Sequence, residues 1–434
     1  MKILSIGYYD DFARFFLEIK KEFIKKDKNI TFKYLSLYLS GYLYFLFRLE
    51  NVSFFSFKVW TNKILNKNKY LNIIPETNIY KGVELKKIIK YHTLLNEEDE
   101  LELKLQAIAY INIIEKLLIE FNPDILILSG DSRMSIEIFN IKAKELNIKT
   151  YYFEQGPFGT TILDTKGVNA NASFRNKEIV TDKSIEEMSN SIENFYKRQR
   201  SAKYKRNPVY RGSDYIFQYL FSKIGLIPID IKMEKETIEI KDIYLSLSTD
   251  VIVEEKKIFL LILQVPYDVN MVYHSPFYTN HFEIVKDVYS NLPLNTQLLV
   301  REHPLFKGKY EKELFEFMYQ NKISLDSDDL YSSINKSDVI IVNNSTVGIE
   351  AISKLKTLVI LGNSYYDNTN ICLKLKEKDN LNNLLSSAID FVIDKKNVLS
   401  FLDDFLNNYL IDGHFRDTKL IASKNIAKEI LNDI

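Results

Sequence analysis

The sequence predicts an α/β protein made of two doubly wound parallel-sheet (Rossmann-like) domains. Short apolar runs alternate with amphipathic stretches at helical spacing in both halves of the chain, which is the rhythm of β-α-β units. At 434 residues the chain also exceeds the about 100–200 residues of an ordinary domain. Two sheets follow.

In the first half, residues 2–7 (KILSIG) read as a strand. Asp10 and Asp11 offer N-cap groups for a helix carrying Phe12, Phe15, Phe16, Ile19 and Phe23. Residues 101–121 form a long amphipathic pattern that Asn122-Pro123 ends. DILILS (124–129) is then a buried parallel strand, 132–146 a helix and 148–153 the next strand. In the second half, strands are expected at 257–265, 296–301, 337–342 and 357–361, with helices at 280–292, 309–319 and 345–355. The boundaries expected from this reading are an N-terminal α/β domain at 1–200, a linker region at 201–240, a second α/β domain at 241–395 and C-terminal helices at 396–434. A basic cluster marks the linker: Lys197, Arg198, Arg200, Lys203, Lys205, Arg206 and Arg211.

Composition excludes several classes. With 58 Lys+Arg against 58 Asp+Glu there is no basic excess, so no nucleic acid partner is expected. A hydrophobic fraction of 46% is enough for sizeable cores and rules out a disordered chain. Cys372 is the one cysteine, and the five histidines are scattered, so neither a disulfide framework nor a metal site is expected. No apolar run approaches the about 18 residues needed to span a bilayer, and the N-terminus lacks a signal-peptide pattern. A cytoplasmic location is expected. Walker-type, Gly-x-Gly-x-x-Gly and Gly-x-Ser-x-Gly motifs are absent, which removes the usual support for ATP hydrolysis, dinucleotide redox chemistry and an α/β-hydrolase.

Two open sheets place ligands just beyond the carboxyl ends of their strands, facing each other across a cleft. Glu154-Gln155-Gly156-Pro157 leaves one strand there, and a partly buried Glu154 suits general-base work. A plain turn with a solvated carboxylate fits the same residues. Arg301-Glu302-His303-Pro304 leaves another strand, where an imidazole can donate to a phosphate or protonate a leaving group. An ordinary turn histidine is the bland alternative. Asn343-Asn344-Ser345-Thr346 runs into a helix whose N-terminal N–H groups and hydroxyls favour an anion, although simple capping explains them equally well. Gly348 would allow close approach of ligand and helix, and Glu350, a turn on, could accept a sugar hydroxyl. Gln264 and Asp268 follow the first strand of the second domain. Asp131 follows strand 124–129 as a helix cap or as a second cleft carboxylate.

Taken together, Glu154-Gln155-Gly156 with the Gly167-Val168-Asn169 tail, the Gln264/Asp268 loop, Glu302-His303-Pro304 and the Asn344 to Ala351 segment resemble bacterial capsule polysaccharide biosynthesis glycosyltransferases. The type is the Kdo-transferase-like one that uses CMP-activated acidic sugars, and the resemblance covers roughly residues 120–365. It implies a GT-B-like fold in which the 241–395 domain binds the nucleotide-sugar and the 1–200 domain faces the acceptor. It implies donor contacts from Arg301, His303, Pro304, Asn344, Ser345, Thr346 and Glu350, and substrate contacts from Gln155, Gly156, Asn169, Gln264 and Asp268. Catalysis would fall to Glu154, His303 and Asp131, with no metal or other cofactor. The donor would carry Kdo, a sialic acid or a relative, and the acceptor would be a glycan or glycolipid. The basic stretch 197–211 and the aromatic run 35–47 would meet that acceptor, with peripheral contact at the inner membrane; a solvated linker and a buried aromatic helix are the bland alternatives for the same residues.

One position departs from the pattern. Retaining relatives carry Glu-Asp-Gly, whereas Gln155 stands where the Asp would be, and an amide does not attack as a carboxylate does. Either Glu154 acts as base in an inverting reaction, or Glu154 or Asp131 takes a covalent role. A GT-B enzyme using a UDP- or GDP-sugar (transferase or epimerase) and a non-catalytic glycan-binding or export subunit are the competing readings.

Overall fold

A computed structural model describes residues 1–74, 78–96, 99–179, 181–198, 200–223, 241–253, 255–266 and 268–434. The chain divides into two compact units. Unit 1 comprises 1–168, the described part of 198–235, and 409–434; unit 2 comprises 169–197 and the described part of 236–408.

The sheet of unit 1 runs, edge to edge, Leu410–Ile411, Thr161–Asp164, Lys149–Gln155, Ile125–Ser129, Lys2–Gly7, Thr31–Ser36, Val52–Phe54. The last five are mutually parallel, and the first two join antiparallel. Alternation along each strand builds two cores. Ile3, Ile125, Ile127, Tyr151 and Phe153 face helix Asp10–Lys26 and helix Ile421–Asn432, while Leu4, Ile6, Leu126, Leu128 and Tyr152 face helix Glu100–Phe121. On the first face Phe12, Phe15 and Phe16 meet Phe153, and Phe12 and Phe15 also meet Phe415, with ring centres 4.7–6.2 Å apart. Each such ring, removed from water, contributes about 1.5–3 kcal/mol. Helix Glu100–Phe121 stops where Asn122 adopts φ 46°, as the Asn-Pro sequence predicts.

The sheet of unit 2 runs Ser324–Leu325, Thr296–Arg301, Lys257–Ile262, Val339–Val342, Thr357–Ile360, Leu373–Lys374, all parallel. Chain order reverses between Lys257–Ile262 and Val339–Val342. The loops leaving those two strands diverge to opposite faces and open a crevice between them, the usual ligand position of an open sheet.

Several expectations need correcting. Residues 169–197 do not stay with the N-terminal unit: helix Ile185–Tyr196 packs on helix Lys395–Asn408, with Lys183 Nζ 2.6 Å from Asp403. The tail from 409 returns to unit 1 as an edge strand and a helix, rather than joining the 396–434 helices as one group. Helical periodicity marks a face to be buried but not the sheet that buries it. The described part of the 201–240 stretch is no free linker either. Helix Pro208–Lys223 packs on helix Leu39–Leu46 within unit 1, and 224–240 lies outside the described residues. Tyr9, not an aspartate, is the N-cap of the first helix. Asp10 and Asp11 sit in its first turn, paired with Arg206 at 2.6 Å and Arg416 at 3.0 Å. The run 35–47 splits between strand Thr31–Ser36 and helix Leu39–Leu46.

Burial pushes His92 and His281 down to about 3, and His414 down to about 4. Each is therefore neutral when folded but gains a proton below about pH 6.5 when unfolded. Stability from these groups is present above pH 6.5 and is lost as the pH falls, by about 1.4 kcal/mol per histidine per pH unit. Glu302, Glu311 and Glu350, raised by burial, act in the opposite sense. A His281→Gln variant isolates the histidine effect: its melting temperature should fall less than that of the parent between pH 7 and 5.5.

Candidate functional site

The crevice of unit 2 holds a recess of about 120 Å3. Its lining comes from strand-end loops: Gln264, Asp268 and Asn270; His303; Asn344, Ser345 and Thr346; and Asn363, Ser364 and Tyr365, with Asn169 alongside. Drug-sized ligands need about 300–1,000 Å3, so this recess fits the polar end of a ligand and not the whole of a nucleotide-sugar.

Hydrogen bonds lock the two diverging loops. Asn344 Nδ2 donates to the carbonyls of Asn270 at 3.0 Å and His274 at 3.2 Å, and Asn363 N donates to the same His274 carbonyl at 2.7 Å. These bonds fix which way the Asn344 amide faces, and its Oδ1 is left buried without a partner. Gln264 Oε1 and Tyr365 OH, also on the recess, are buried and unpartnered as well. Stranded buried polar atoms of this kind cost about 1–3 kcal/mol each, and a bound ligand would satisfy them.

His303 is partly buried, and burial lowers its pKa. Its Nδ1 accepts the Leu305 N–H at 3.3 Å, so in the neutral ring the proton sits on Nε2, making that nitrogen a donor. The His303 N–H donates to Tyr310 OH, whose own proton goes to the Gln264 carbonyl, so Tyr310 ties the His303 and Gln264 loops together. Helix Val347–Ser353 is shorter than the 345–355 expected, and Thr346 is its N-cap. The hydroxyls of Ser345 and Thr346 therefore stand ahead of the helix, on the recess. Gly348 serves packing and not a ligand: a Cβ there would overlap the Tyr366 ring, whose hydroxyl donates to the Ser345 carbonyl.

Three expected donor contacts lie elsewhere. Arg301 gives its guanidinium to Asp326, the Asp328 carbonyl and Ser333. Glu350 is bonded to Tyr331 and raised by burial. Pro304 is exposed and shapes the turn that closes from Phe306 N to His303 O at 2.9 Å. Arg301 leaves its strand on the side of the neighbouring edge strand, which the linear sequence does not reveal. The acidic group Asp250, Asp326 and Asp328 has metal-like spacing, but the Lys336 ammonium reaches all three within 3.5 Å.

In unit 1, Glu154 is partly buried at the end of its strand. One oxygen accepts the Gln155 N–H at 2.8 Å, and the other lies over Gly130. Asp131 is 2% exposed. It accepts the Val168 N–H at 2.9 Å and the Ser132 hydroxyl, so it ties down the loop leading to Asn169 instead of reaching a substrate. Gln155 is exposed, and Gly156 closes a tight turn with Thr160. The basic cluster is largely neutralised: Arg198 and Arg200 pair with Asp412, and Arg206 with Asp10 and Asp214. Lys205 and Arg211 line a groove of about 840 Å3 together with Tyr9, Tyr204 and Tyr215.

The sequence reading missed Asn270, Asn363, Ser364 and Tyr365. The last three follow strand Thr357–Ile360, so the rule that found the other loops applies to them too. It also missed their anchor. Arg175 clamps Asp367 at 2.7 and 3.0 Å and reaches Asn363, while Lys374 bonds both Asp367 and Asn363. Burial raises the Asp367 pKa, but these two cations outweigh it and hold the carboxyl below its usual range.

Unit 2 is thus a doubly wound α/β domain with a polar recess at its switch point, and unit 1 is a second α/β domain whose sheet carries two antiparallel edge strands. The chain belongs to the capsule polysaccharide biosynthesis protein family, whose model matches residues 124–384. Protein FixF of Sinorhizobium fredii is 27% identical over 167 residues, and the match spans 38% of this chain and only 40% of that protein. Among solved structures, the Thermosulfurimonas dismutans KpsC beta Kdo 2,7 transferase is 13% identical. It covers 74% of this chain and 88% of its own, with a TM-score of 0.36. The UDP-GlcNAc 2-epimerase of Neisseria meningitidis is 13% identical over the full length of both chains, at a TM-score of 0.33. Overlaps this weak decide neither donor nor reaction.

Removing the Asp367 carboxylate would leave Arg175 and Lys374 partly buried and unpaired. Asp367→Ala should lower unfolding stability by about 3 kcal/mol, read by chemical denaturation, and should weaken any ligand of the recess.

Proposed function

We propose that the chain is a glycosyltransferase of capsule or surface polysaccharide biosynthesis. In this reading it moves an acidic sugar (Kdo, a sialic acid or a relative) from a CMP-activated donor to a glycan or glycolipid acceptor. The observation that carries this reading is the recess of unit 2, which combines oxyanion donors with stranded acceptors. His303 Nε2–H and the Ser345 and Thr346 hydroxyls suit a phosphate. Gln264 Oε1 and Asn344 Oδ1 suit hydroxyl or amino groups of the attached nucleoside. The recess admits one phosphate with its near neighbours, as a nucleoside monophosphate leaving group requires.

As the glycosidic bond to CMP breaks, negative charge grows on the phosphate oxygens. Fixed donors that need no rearrangement stabilise that charge more than they stabilise the ground state. Glu154 is assigned the acceptor hydroxyl: as a carboxylate it takes the proton while the oxygen attacks the anomeric carbon. With Glu154 acting as base and the acceptor oxygen displacing CMP in a single step, this route inverts the anomeric centre. A panel of CMP, UDP and GDP tests the donor, because the nucleotide that binds the folded state raises its melting temperature. CMP should give the largest shift. His303→Ala should slow CMP release from CMP-Kdo or CMP-sialic acid about 100-fold or more. Glu154→Gln should abolish transfer and leave CMP affinity within about twofold, and no shift with CMP would end the CMP reading.

Peripheral contact with the inner membrane belongs to the same reading. Helix Pro208–Lys223 buries Asp214, Phe217 and Gln218 but exposes Val209, Ile216, Tyr219 and Leu220, and the exposed Phe47 lies beside Tyr210. Lys205, Arg211 and Arg48 accompany this apolar face, a composition suited to an anionic bilayer. Replacing Val209, Ile216 and Leu220 by Ser should reduce cosedimentation with phosphatidylglycerol vesicles at least threefold, with the melting temperature unchanged.

A further inference from the structure

Arg133 stands where folding alone gives a cation little reason to be. It is the N-cap of helix Met134–Glu145, at φ −80° and ψ 152°, and makes no cap bond. The positive end of a helix dipole disfavours a cation there. Its side chain is mostly covered, between the rings of Tyr8 at 5.4 Å and Tyr91 at 5.5 Å, with Tyr9 and Tyr38 close by. Among the described residues the guanidinium has no carboxylate partner and donates to no acceptor, and the adjacent His92 is buried and neutral.

Ring faces near the outer limit of about 6 Å attract a cation weakly and offer none of the in-plane acceptors that a guanidinium fork requires. Covered cations ordinarily find a counter-ion. No described residue supplies one here, which leaves the guanidinium fork open to an external oxyanion. The location is also apt: Tyr8 and Tyr9 follow Lys2–Gly7, and Arg133 follows Ile125–Ser129. Those neighbouring strands are where chain order reverses in the sheet of unit 1. The tyrosines add flat surfaces on which sugar rings can lie.

We propose that Arg133 binds the oxyanion of a second ligand, a sugar bearing a carboxylate or a phosphate, held at the carboxyl edge of the sheet of unit 1. Naming that ligand as the acceptor rests on the transferase reading; the oxyanion site itself does not.

The test titrates the full-length protein, in saturating CMP to occupy the recess of unit 2, with glucuronate, glucose 1-phosphate and glucose, followed by calorimetry. At least one of the two anionic sugars should bind ten times more tightly than glucose, and the preferred one identifies the oxyanion. Arg133→Met should weaken that binding tenfold or more, with a melting temperature equal to or above that of the parent, because an uncompensated cation has been removed. Arg133→Lys keeps the charge but not the fork, so it should lie between them, and it serves alone if the Met variant does not fold. Unchanged binding in either variant, or no preference for either anion over glucose, overturns the proposal. A melting temperature several degrees lower with binding intact also overturns it and makes Arg133 an aromatic-cage strut. Absence of CMP binding would instead count against the donor reading, leaving the Arg133 comparison valid.

Discussion

The amide of Asn344 is the constraint on which the rest of unit 2 depends. At the reversal of strand order, two loops leave neighbouring strands toward opposite faces, and nothing in the sheet itself holds their ends in register. Asn344 Nδ2 spans that gap by donating to two carbonyls of the opposite loop, and His274 O accepts from a third loop through Asn363 N. Three chain segments are thereby fixed around one small volume. The same bonds force Asn344 Oδ1 to remain without a protein partner. Rigid walls and stranded acceptors have one cause.

A second layer of bonds supports the first. The Tyr310 hydroxyl joins the His303 and Gln264 loops, and Arg175 with Lys374 pins Asp367 beneath Asn363 and Ser364. A recess lined by side chains from five loops would otherwise fluctuate as each loop does. Charged pairs are spent here on positioning rather than on touching a ligand, which explains why Arg301 and Arg175, the most conspicuous cations near the site, are both already occupied. Arg133 in unit 1 is the contrast: mostly covered, cationic and without a carboxylate partner among the described residues.

Much of the fold was legible in the residues. DILILS, KIFLLI and VIIV announce strands buried on both faces, and the Phe12 to Phe23 spacing announces the helix that covers one of them. The site was legible where a rule about strand ends applied. His303, Asn344, Ser345, Gln264 and Asp268 all line the recess, and the Asn363 to Tyr365 loop would have followed from the same rule. Arg301 and Glu350 were misplaced because sequence position near a strand end does not say which way a side chain leaves it. Residues 169–197 were assigned to the wrong unit, and the C-terminal helices to neither, because an amphipathic face declares only that it must be buried.

Local sequence alone determined the elements, their order and the two-domain α/β class, since periodicity and turn chemistry act over a few residues. The pattern of short motifs likewise pointed to the capsule polysaccharide biosynthesis family. Tertiary structure alone decided which segments share a sheet, which cations are neutralised by distant carboxylates, and which polar atoms are left without partners. Those outcomes depend on pairings between residues tens to hundreds of positions apart, such as Asn344 with Asn270 or Arg206 with Asp10. Their energies exist only once the chain has closed.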